Sequence, residues 1–525
     1  MSTGLLIVII NMVMKMFAKV KSLGILGLEA FEVTVESDIS QGLPRFDIVG
    51  LPDASVKESR ERVRASIKNC HLNFPVSRIT VNIAPADVKK EGALYDLPVF
   101  ISILKACGQL KGDIDSFAFV GELSLDGEIR AVAGILPMLL LAKKKGIENV
   151  FIPYDNRLEG SVLDGISVLP VQNVYQVMRH LSDEERVAPC YEPHIIDNEA
   201  VYSVDFSDVK GQAEAKRALE IAAAGGHNCI MVGPPGAGKS MLAKRLPTIL
   251  PEMSFEEKLE TTKVYSIAGA IPKGTAIISR RPFRSPHHTV SAQALTGGGA
   301  NPRPGEISLA HNGVIFMDEF PEFDRRAKES MRQPLEDGIV SIARTAGSYT
   351  YPSNVMLVAA MNPCPCGFYG HPTKECTCTP AAKKRYMDKV SGPILDRIDI
   401  HIEVAPVEYE QLSCKAAEET SAQIKRRVDK ARAVQLKRFE GTGVSCNAKM
   451  TPKMTKKYCL LTDDANALLK DSFENLGLSA RAYDKILRIA RTIADLEESE
   501  NIEIEHISEA LQYRSLDRKY WNREE

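Results

Sequence analysis

The chain has 525 residues, which at roughly 150 residues per domain allows three or four domains and is too long for one hydrophobic core. Apolar residues make up 44% of the chain and charged residues 26%, a balance that excludes a disordered or collagen-like protein. The formal net charge is −2, so any nucleic-acid site has to be a local basic surface.

The amino-terminal apolar run, residues 5–10, is shorter than the roughly 20 residues of a membrane span and lacks the features of a signal peptide. We therefore expect a cytoplasmic protein with no membrane association. Residues 1–15 are interpreted as an upstream extension, with a short buried first strand as the alternative. The eleven cysteines indicate reduced thiols or metal ligands rather than disulfides.

The first domain is predicted to be α+β and to span residues 16–185. Hydrophobic alternation predicts a strand over 31–35, the charged segment 55–67 a helix, and residues 79–83 another strand. The stretch 186–203 carries prolines and many charges without sustained periodicity, which indicates a linker.

The second domain, residues 204–405, is predicted to be α/β. Its strands at 229–232, 314–317 and 355–359 are rich in Ile, Val and Met and alternate with helices, which is typical of a parallel sheet covered on both faces. Residues 406–525 are predicted to form a helical lid, with helices over 422–438, 463–475, 480–498 and 504–513.

A phosphate-binding loop is indicated where the strand 229–232 ends. The next segment fits G-x-x-x-x-G-K-[ST] and precedes a predicted helix over 241–246; its residues are Gly233, Pro234, Pro235, Gly236, Ala237, Gly238, Lys239 and Ser240. Backbone N–H groups of such a loop surround phosphate, the lysine reaches the β and γ oxygens, and the serine hydroxyl binds Mg²⁺. The segment predicts an ATP site, the alternative being a Gly-rich turn that binds nothing.

Two carboxylates follow the apolar strand at 314–317. Asp318 is suited to the Mg²⁺ shell, and Glu319 is suited to polarising the attacking water. This division of labour is what phosphoryl transfer to water requires.

Four cysteines lie close together in the sequence: Cys364, Cys366, Cys376 and Cys378. Four thiolates suffice for one tetrahedral Zn²⁺, although C-x-C pairs are less typical than C-x₂-C pairs, and a reduced loop without metal is the alternative. His371 is a substitute ligand. The pair His287 and His288 is interpreted as structural, because no acidic or cysteine partner is spaced to complete a metal site.

The strongest charge asymmetry lies at residues 425–457. Eleven Lys or Arg residues stand there against two acids, a local net charge of +9. Such a segment favours contact with a phosphate backbone, with a solvated helix face as the alternative.

These motifs resemble an AAA+ ATPase of the magnesium-chelatase-like branch, and specifically the YifB/ComM family, over nearly the whole chain. The resemblance also rests on four further segments: DFSDVKGQ at 205–212, RPFRSPHH at 281–288, AAMNPCPCG at 359–367 and ILDRID at 394–399. It implies an α/β fold in which an AAA+ P-loop parallel sheet carries a helical lid of the magnesium-chelatase C-terminal type.

The resemblance also implies roles for three polar residues. Asn362 resembles sensor 1, which orients the attacking water; Arg397 resembles the arginine finger, which acts on the γ-phosphate of a neighbouring subunit; and Arg481 resembles sensor 2. Charge that develops on the γ-phosphoryl oxygens requires cations beyond Lys239 and Mg²⁺. A finger that acts between subunits implies a ring, and the family implies a homo-hexamer.

Two insertions resemble elements that face the central channel in ring motors of this branch. The Gly- and Pro-rich segment 296–305 resembles the helix-2 insertion and predicts a mobile loop. Residues 339–351 resemble the pre-sensor-1 hairpin. Arg303 and Arg344 would meet phosphates there without reading bases; ordinary surface loops are the alternative.

The first domain resembles the proteolytic domain of Lon proteases, a ribosomal S5 domain 2-like fold, through FVGELSLDGEIR at 119–130. That family uses a serine nucleophile activated by a lysine. Leu136 stands at the lysine position and Tyr95 or Asp96 at the serine position. We therefore expect this fold without protease activity.

The leading hypothesis for the function is an ATP-driven ring motor that acts on single-stranded or branched DNA. It follows the family role in branch migration during integration of incoming DNA. A magnesium-chelatase-type ATPase that remodels a partner protein is the alternative. An ATP-dependent protease comes third, because both dyad positions are altered.

Overall fold

The computed structural model describes residues 16–191, 202–299, 302–344, 347–406, 418–476, 478–514, 516 and 520–521. Both interpretations of residues 1–15 lie outside the described residues, as does most of the expected linker. The chain forms two compact units. Within the described ranges, every helix is too short or too polar to span a bilayer.

The first unit is built around a seven-stranded sheet with the order β3-β4-β2-β1-β5-β8-β9. Strand β2 is antiparallel to β1 and β4, and the other neighbouring pairs are parallel. The strands of this unit are β1 Phe17–Leu26, β2 Glu29–Ser40, β3 Arg45–Val49, β4 Arg78–Ala84, β5 Phe117–Phe119, β6 Glu122–Leu123, β7 Ile129–Arg130, β8 Asn149–Pro153 and β9 Ser167–Val171. Its helices are α1 Ala54–Asn69, α2 Asp96–Ala106, α3 Ile135–Lys144, α4 Arg157–Gly160 and α5 Val174–Leu181.

Local sequence explains the helices and strands of this unit. In β2, Val33, Val35 and Ile39 are buried while the residues between them are less so, the period-2 pattern of a strand with one face in the core. Helix α1 begins after Asp53, whose carboxylate accepts a 2.8 Å hydrogen bond from the Val56 N–H. The predicted mixture of strands and helices is confirmed.

The second unit contains a five-stranded sheet with the order β11-β14-β17-β10-β18. All its neighbouring pairs are parallel. The strands are β10 Cys229–Val232, β11 Phe283–Arg284, β14 Val314–Met317, β17 Met356–Met361 and β18 Ile400–Glu403; short antiparallel pairs are formed by β12 Gly297–Gly298 with β13 Arg303–Pro304 and by β15 Ile339–Arg344 with β16 Gly347–Pro352. Every residue of β10, β14 and β17 is buried, which confirms the predicted sheet with two covered faces.

The remaining helices belong to the second unit, except the one over Phe255–Ala268, most of which lies in the first unit. They are α6 Ala213–Gly225, α7 Lys239–Arg245, α8 Phe255–Ala268, α9 Ala292–Thr296, α10 Glu306–Leu309, α11 Arg325–Glu329, α12 Arg332–Asp337, α13 Pro380–Met387, α14 Gly392–Leu395, α15 Ser421–Arg438, α16 Pro452–Tyr458, α17 Asp463–Leu476, α18 Ala480–Leu496 and α19 Ile504–Gln512. Thr420 and Gln423 form a capping box at the start of α15. Side chains of α6, α15 and α18 share one buried cluster with the central strands. The helical region from 406 onward therefore belongs to the same compact unit as the sheet.

One segment lies in a different unit from the one its place in the sequence suggests. Residues 258–279, inside the range 204–405, belong to the first unit. The buried Glu159 carboxylate accepts a hydrogen bond from the Ser266 hydroxyl, and Ala276 and Ile277 are buried beside Val162. The segment joins the first unit because its apolar side chains are buried there.

Candidate nucleotide-binding site

A cleft of about 770 Å³ lies at the carboxyl ends of β10, β14 and β17. This volume is in the range of small-molecule sites. Residues 235–240 of the predicted loop after β10, Asp318 and Glu319 after β14, and Asn362 after β17 line it. Parallel strands deliver these side chains to one edge because their carboxyl ends coincide.

The loop at 233–240 has the backbone conformation of a phosphate cradle. Gly236 and Gly238 have φ values of +82° and +94°, a region that favours glycine. A Cβ atom on Gly233 would lie 2.2 Å from the carbonyl oxygen of Val404, so that only glycine fits there. The loop leads into α7, whose amino-terminal end adds a positive dipole.

Lys239 is almost buried at the floor of the cleft. Its ammonium group donates to the carbonyl oxygens of Gly233 (2.6 Å) and Pro234 (2.9 Å) and to Oδ1 of Asn362 (3.2 Å). Burial lowers the pKa of Lys239 to about 8, an effect that the Asp318 carboxylate opposes. The Lys239 ammonium group is thus partly desolvated, and contact with anionic oxygens would stabilise its charged form.

Ser240 and Asp318 form a pair of oxygen donors. The Ser240 hydroxyl donates a 2.5 Å hydrogen bond to Oδ2 of Asp318, which joins the start of α7 to the end of β14. A hydroxyl and a carboxylate side by side are the ligands that Mg²⁺ takes in phosphate sites. The two side chains therefore fit the predicted Mg²⁺ shell.

Glu319 follows Asp318 with a left-handed backbone (φ +53°), a conformation that concentrates at functional sites. Its Oε2 lies 3.1 Å from Nδ1 of His288. The sequence-based interpretation of His287 and His288 as structural did not foresee that His288 contacts Glu319, the expected base. The contact depends on the fold: His288 follows β11, which pairs with β14, so both residues belong to the same edge of the sheet.

Helix α13 supplies a wall of the cleft that sequence reasoning missed. Arg385, Tyr386 and Lys389, on or just after this helix, line the cleft. Burial raises the pKa of Tyr386, and a hydrogen bond with the backbone of Asn362 opposes that shift. Lys389 pairs with Glu322 at 2.9 Å. No short motif marks these residues, because α13 reaches the cleft only through the fold of the loop before it.

Arg397 and Arg481 lie outside the cleft, and both act on the carboxylate of Glu336. Neither is among the described residues that line the cleft. Arg397, with its side chain 14% exposed, bonds to Glu336 and donates to the Pro393 carbonyl oxygen at 2.6 Å. Arg481 is 67% exposed and lies 3.6 Å from Asp396. Both arginines contribute to lowering the pKa of Glu336, Arg397 most strongly.

The four clustered cysteines meet in space. Their sulfur atoms all lie within 4.8 Å of one another. A hydrogen bond from the Phe368 backbone lowers the pKa of Cys366 to about 6, whereas burial raises that of Cys364 to about 12. His371 is not in this group; its Nδ1 accepts from the backbone N–H of Lys374 at 3.1 Å.

The two insertions contact each other. Tyr351 of β16 donates a 2.6 Å hydrogen bond to the carbonyl oxygen of Pro302, and a Cβ on Gly298 would lie 3.0 Å from a guanidinium nitrogen of Arg344. Where a loop was expected, Gly297 and Gly298 pair with Arg303 and Pro304, because glycine permits the close approach of the two backbones. Residues 300–301 and 345–346 lie outside the described residues.

The basic segment 425–457 divides into two sets. Five of its eleven cations are bound by the chain itself, four by carboxylates and one by backbone carbonyls: Lys425, Arg427, Lys430, Arg438 and Arg432. Within the described part of the chain, the other six make no ion pair: Arg426, Lys437, Lys449, Lys453, Lys456 and Lys457. The surface available to phosphate is therefore about half of what the sequence count suggests.

In the first unit, the positions that match the serine and lysine of Lon proteases are buried in the core. Asp96 is fully buried; it bonds to the Arg62 guanidinium at 2.6 Å, to Ser59, and to the backbone N–H of Leu123 at 3.2 Å. Tyr95 and Leu136 are buried as well. These positions carry an internal ion pair and apolar packing.

Three family models match the chain. "Magnesium chelatase, subunit ChlI" matches residues 205–412, "Subunit ChlI of Mg-chelatase" matches residues 35–156, and "Magnesium chelatase, subunit ChlI C-terminal" matches residues 418–514.

Similar proteins match over almost their whole length. The uncharacterized protein YifB of Escherichia coli (strain K12) is 42% identical over 499 residues, 94% of this chain and 96% of that protein. The competence protein ComM of Haemophilus influenzae is 42% identical over 498 residues, with the same coverage of both chains. A shorter match, 29% identity over 150 residues, links 27% of this chain to 26% of Lon protease 2 of Bacillus subtilis.

Proposed function

Because the chain belongs to the YifB/ComM family of magnesium-chelatase-like AAA+ proteins, we propose that it is a Mg²⁺-dependent ATP hydrolase that assembles into a ring and acts on DNA. The observation that carries the proposal is the convergence of Lys239, the Ser240–Asp318 pair, Glu319 and Asn362 on one cleft.

In this proposal each side chain of the cleft has a chemical task. The loop N–H groups and the Lys239 ammonium bind the β- and γ-phosphates; Ser240 and Asp318 would hold Mg²⁺, which would supply charge neutralisation there. Glu319 accepts a proton from the attacking water at a carboxylate oxygen. Asn362, which already bonds to Lys239, orients that water. The bond between the γ-phosphorus and the bridging oxygen breaks, and ADP and phosphate leave.

The position of Arg397 supports assembly into a ring. A side chain that lies outside the cleft of its own chain can complete the cleft of a neighbour, where it stabilises the charge of the transferring phosphoryl group. Closed rings arise when such head-to-tail contacts repeat around an axis. We propose a homo-hexamer in which Arg397 is the arginine finger and Arg481 is sensor 2.

The DNA part of the proposal rests on local basic surface. Five of the six cations of the basic segment that the chain does not bind are exposed, and all five lie on α15 and α16. The exposed Arg303 and Arg344 extend from the two contacting insertions. Cations without partners release counterions from a phosphate backbone, whereas paired ones do not. The name of the Haemophilus relative, a competence protein, also supports an action on DNA.

A remodelling ATPase of the magnesium-chelatase type is the second candidate. All three matching family models carry that name, and the same cleft would serve either function. The two candidates differ in what stimulates ATP hydrolysis: DNA in the first case, a partner protein in the second.

The test is steady-state ATP hydrolysis with single-stranded, duplex and four-way-junction DNA at two salt concentrations. We expect stimulation that fades with salt, and a weaker, less salt-dependent response in Lys456→Glu/Lys457→Glu. The matched control is Lys144→Glu/Lys145→Glu, which changes the net charge equally at two exposed lysines, the last residue of α3 and its carboxyl-terminal cap. Each lost phosphate contact lowers the slope of log K against log salt by about 0.9 for duplex DNA. Absence of stimulation by every DNA would favour the remodelling ATPase.

A further inference from the structure

The sulfur atoms of the four clustered cysteines are arranged for one metal ion. Cys364 Sγ lies 3.3 Å from Cys366 Sγ and 3.7 Å from Cys376 Sγ, and Cys366 Sγ lies 3.6 Å from Cys376 Sγ. Zinc–thiolate bonds of about 2.3 Å at tetrahedral angles place sulfur atoms about 3.8 Å apart. A disulfide requires about 2.05 Å, so these separations exclude disulfides and match the spacing of thiolate ligands around one ion.

The loop is folded to present these sulfurs. Gly367 has a φ of +84° and donates its N–H to the carbonyl oxygen of Cys364 at 3.0 Å, which turns the first C-x-C pair back on itself. The backbone N–H of Cys366 points to Cys378 Sγ at 3.4 Å, a contact that stabilises a thiolate ligand. Cys364 is fully buried and the other three are half-buried, so solvent has only partial access to the cluster.

This loop connects three parts of the nucleotide cleft. Cys364 follows Asn362 by two residues, at the end of β17. A Cβ on Gly367 would lie 2.6 Å from Cδ of Pro235, so the loop rests directly on the phosphate-binding loop. Pro365, between the first two cysteines, itself lines the cleft.

The second C-x-C pair leads into the cleft wall. Cys378 directly precedes Thr379, which caps α13 by accepting a 3.2 Å hydrogen bond from the N–H of Ala382. That helix carries Arg385 and Tyr386 to the cleft. An ion shared by both pairs would therefore tie the end of β17 to the start of α13.

We propose that Cys364, Cys366, Cys376 and Cys378 bind one Zn²⁺, and that this zinc holds α13 and Asn362 in position around the nucleotide. The metal is a structural cross-link, with four protein ligands and no open position for water. The second part of the inference rests on the proposed ATP hydrolysis, whereas the metal site itself does not.

Metal content tests the site. Protein purified without chelator is expected to contain one zinc per chain by elemental analysis, and Cys376→Ser/Cys378→Ser is expected to lose it. Cys107→Ser, at a half-buried cysteine outside the cluster, is the matched control and should keep it. Substitution with Co²⁺ in the wild-type chain should produce thiolate-to-cobalt charge-transfer absorption, which does not depend on any variant folding. Less than stoichiometric zinc after incubation with zinc sulfate, or a cobalt spectrum without thiolate bands, would overturn the site.

Reversible removal of zinc tests the coupling. Chelation of the wild-type protein, followed by transfer into chelator-free buffer with Mg²⁺, is expected to lower ATP turnover about 100-fold, the effect of misplacing groups that position a substrate, and zinc sulfate should restore it. If the protein binds zinc but its ATP turnover does not change when zinc is removed, the proposed effect of zinc on the nucleotide cleft is wrong, whereas the proposed metal site stands. Bound zinc in a protein that never hydrolyses ATP would instead contradict the proposed function, so the two failures are distinguishable.

Discussion

Nδ1 of His288 lies 3.1 Å from Oε2 of Glu319, so the carboxylate proposed as the base is held by a residue from the neighbouring strand's loop. The imidazole also packs against His287, with ring centroids 4.1 Å apart. These contacts restrict the rotamers of Glu319 before any water attacks.

We expect His288→Ala to lower the kcat of ATP hydrolysis roughly 10- to 100-fold, the usual effect of removing an outer hydrogen-bond partner. KM should stay unchanged, because His288 is not among the described residues that line the cleft. His288→Gln retains a donor and should keep more activity, and His287→Ala is the neighbouring control. A rise in KM with kcat unchanged would show that His288 acts on binding instead.

Above pH 8, the Lys239 amine is expected to take up a proton when ATP binds. Burial lowers the pKa of Lys239 to about 8, so the free protein carries a largely neutral amine at pH 9. Phosphate oxygens favour the ammonium form and raise its pKa. The phosphate of the nucleotide, with a second pKa of about 6, is already ionised there. Calorimetry at pH 9 in buffers of different ionisation enthalpy measures the uptake, and Lys239→Arg should abolish it.

The same pKa shift affects stability. The folded-state pKa of Lys239 is depressed below its ordinary value of 10.5, so between about pH 8 and pH 10.5 the unfolded chain binds more protons. This residue's contribution to the free energy of unfolding therefore rises with pH across that window. Its unfavourable contribution is fully present below pH 8.

Mixing two inactive variants is expected to restore part of the ATP hydrolysis. Lys239→Ala removes the phosphate ligand and Arg397→Ala removes the proposed finger, so each alone should be inactive. In a mixed ring, an intact cleft on an Arg397→Ala subunit meets Arg397 from a Lys239→Ala neighbour. Lys239→Ala mixed with Glu319→Gln is the control and should stay inactive, because both residues line the same cleft. If the first mixture stays inactive as well, Arg397 does not act between subunits.

Arg62→Ala is expected to lower the free energy of unfolding of the first unit by about 3 kcal/mol. The substitution leaves Asp96, which is fully buried, without its charge partner, and breaking buried pairs costs about 3–5 kcal/mol. Arg60→Ala removes an arginine from the exposed pair with Glu61 and should cost less than about 1 kcal/mol. Denaturant unfolding of both variants measures the difference; equal losses would contradict a stabilising role for the buried pair.

Features encoded over a few adjacent residues were predictable from the sequence. The phosphate-binding loop, the strands at 229–232 and 314–317, Asp318 and Glu319, and the two C-x-C pairs each follow from short patterns, because glycine conformation, burial of a strand and the chemistry of adjacent side chains are local properties. The parallel sheet follows as well, since uninterrupted apolar strands need cover on both faces.

Features that depend on distant parts of the chain required the tertiary structure. The approach of His288 to Glu319, the cleft wall of α13, the placement of 258–279 in the first unit and the neutralised half of the basic segment all depend on which faces of separate elements pack together. Charge shows the difference most clearly: Arg438 adds to a basic run in the sequence, but in the fold it pairs with the buried Asp495, 57 residues further along the chain. The energy of an ion pair depends on the distance between its charges and on their burial, and neither quantity can be read from the sequence alone.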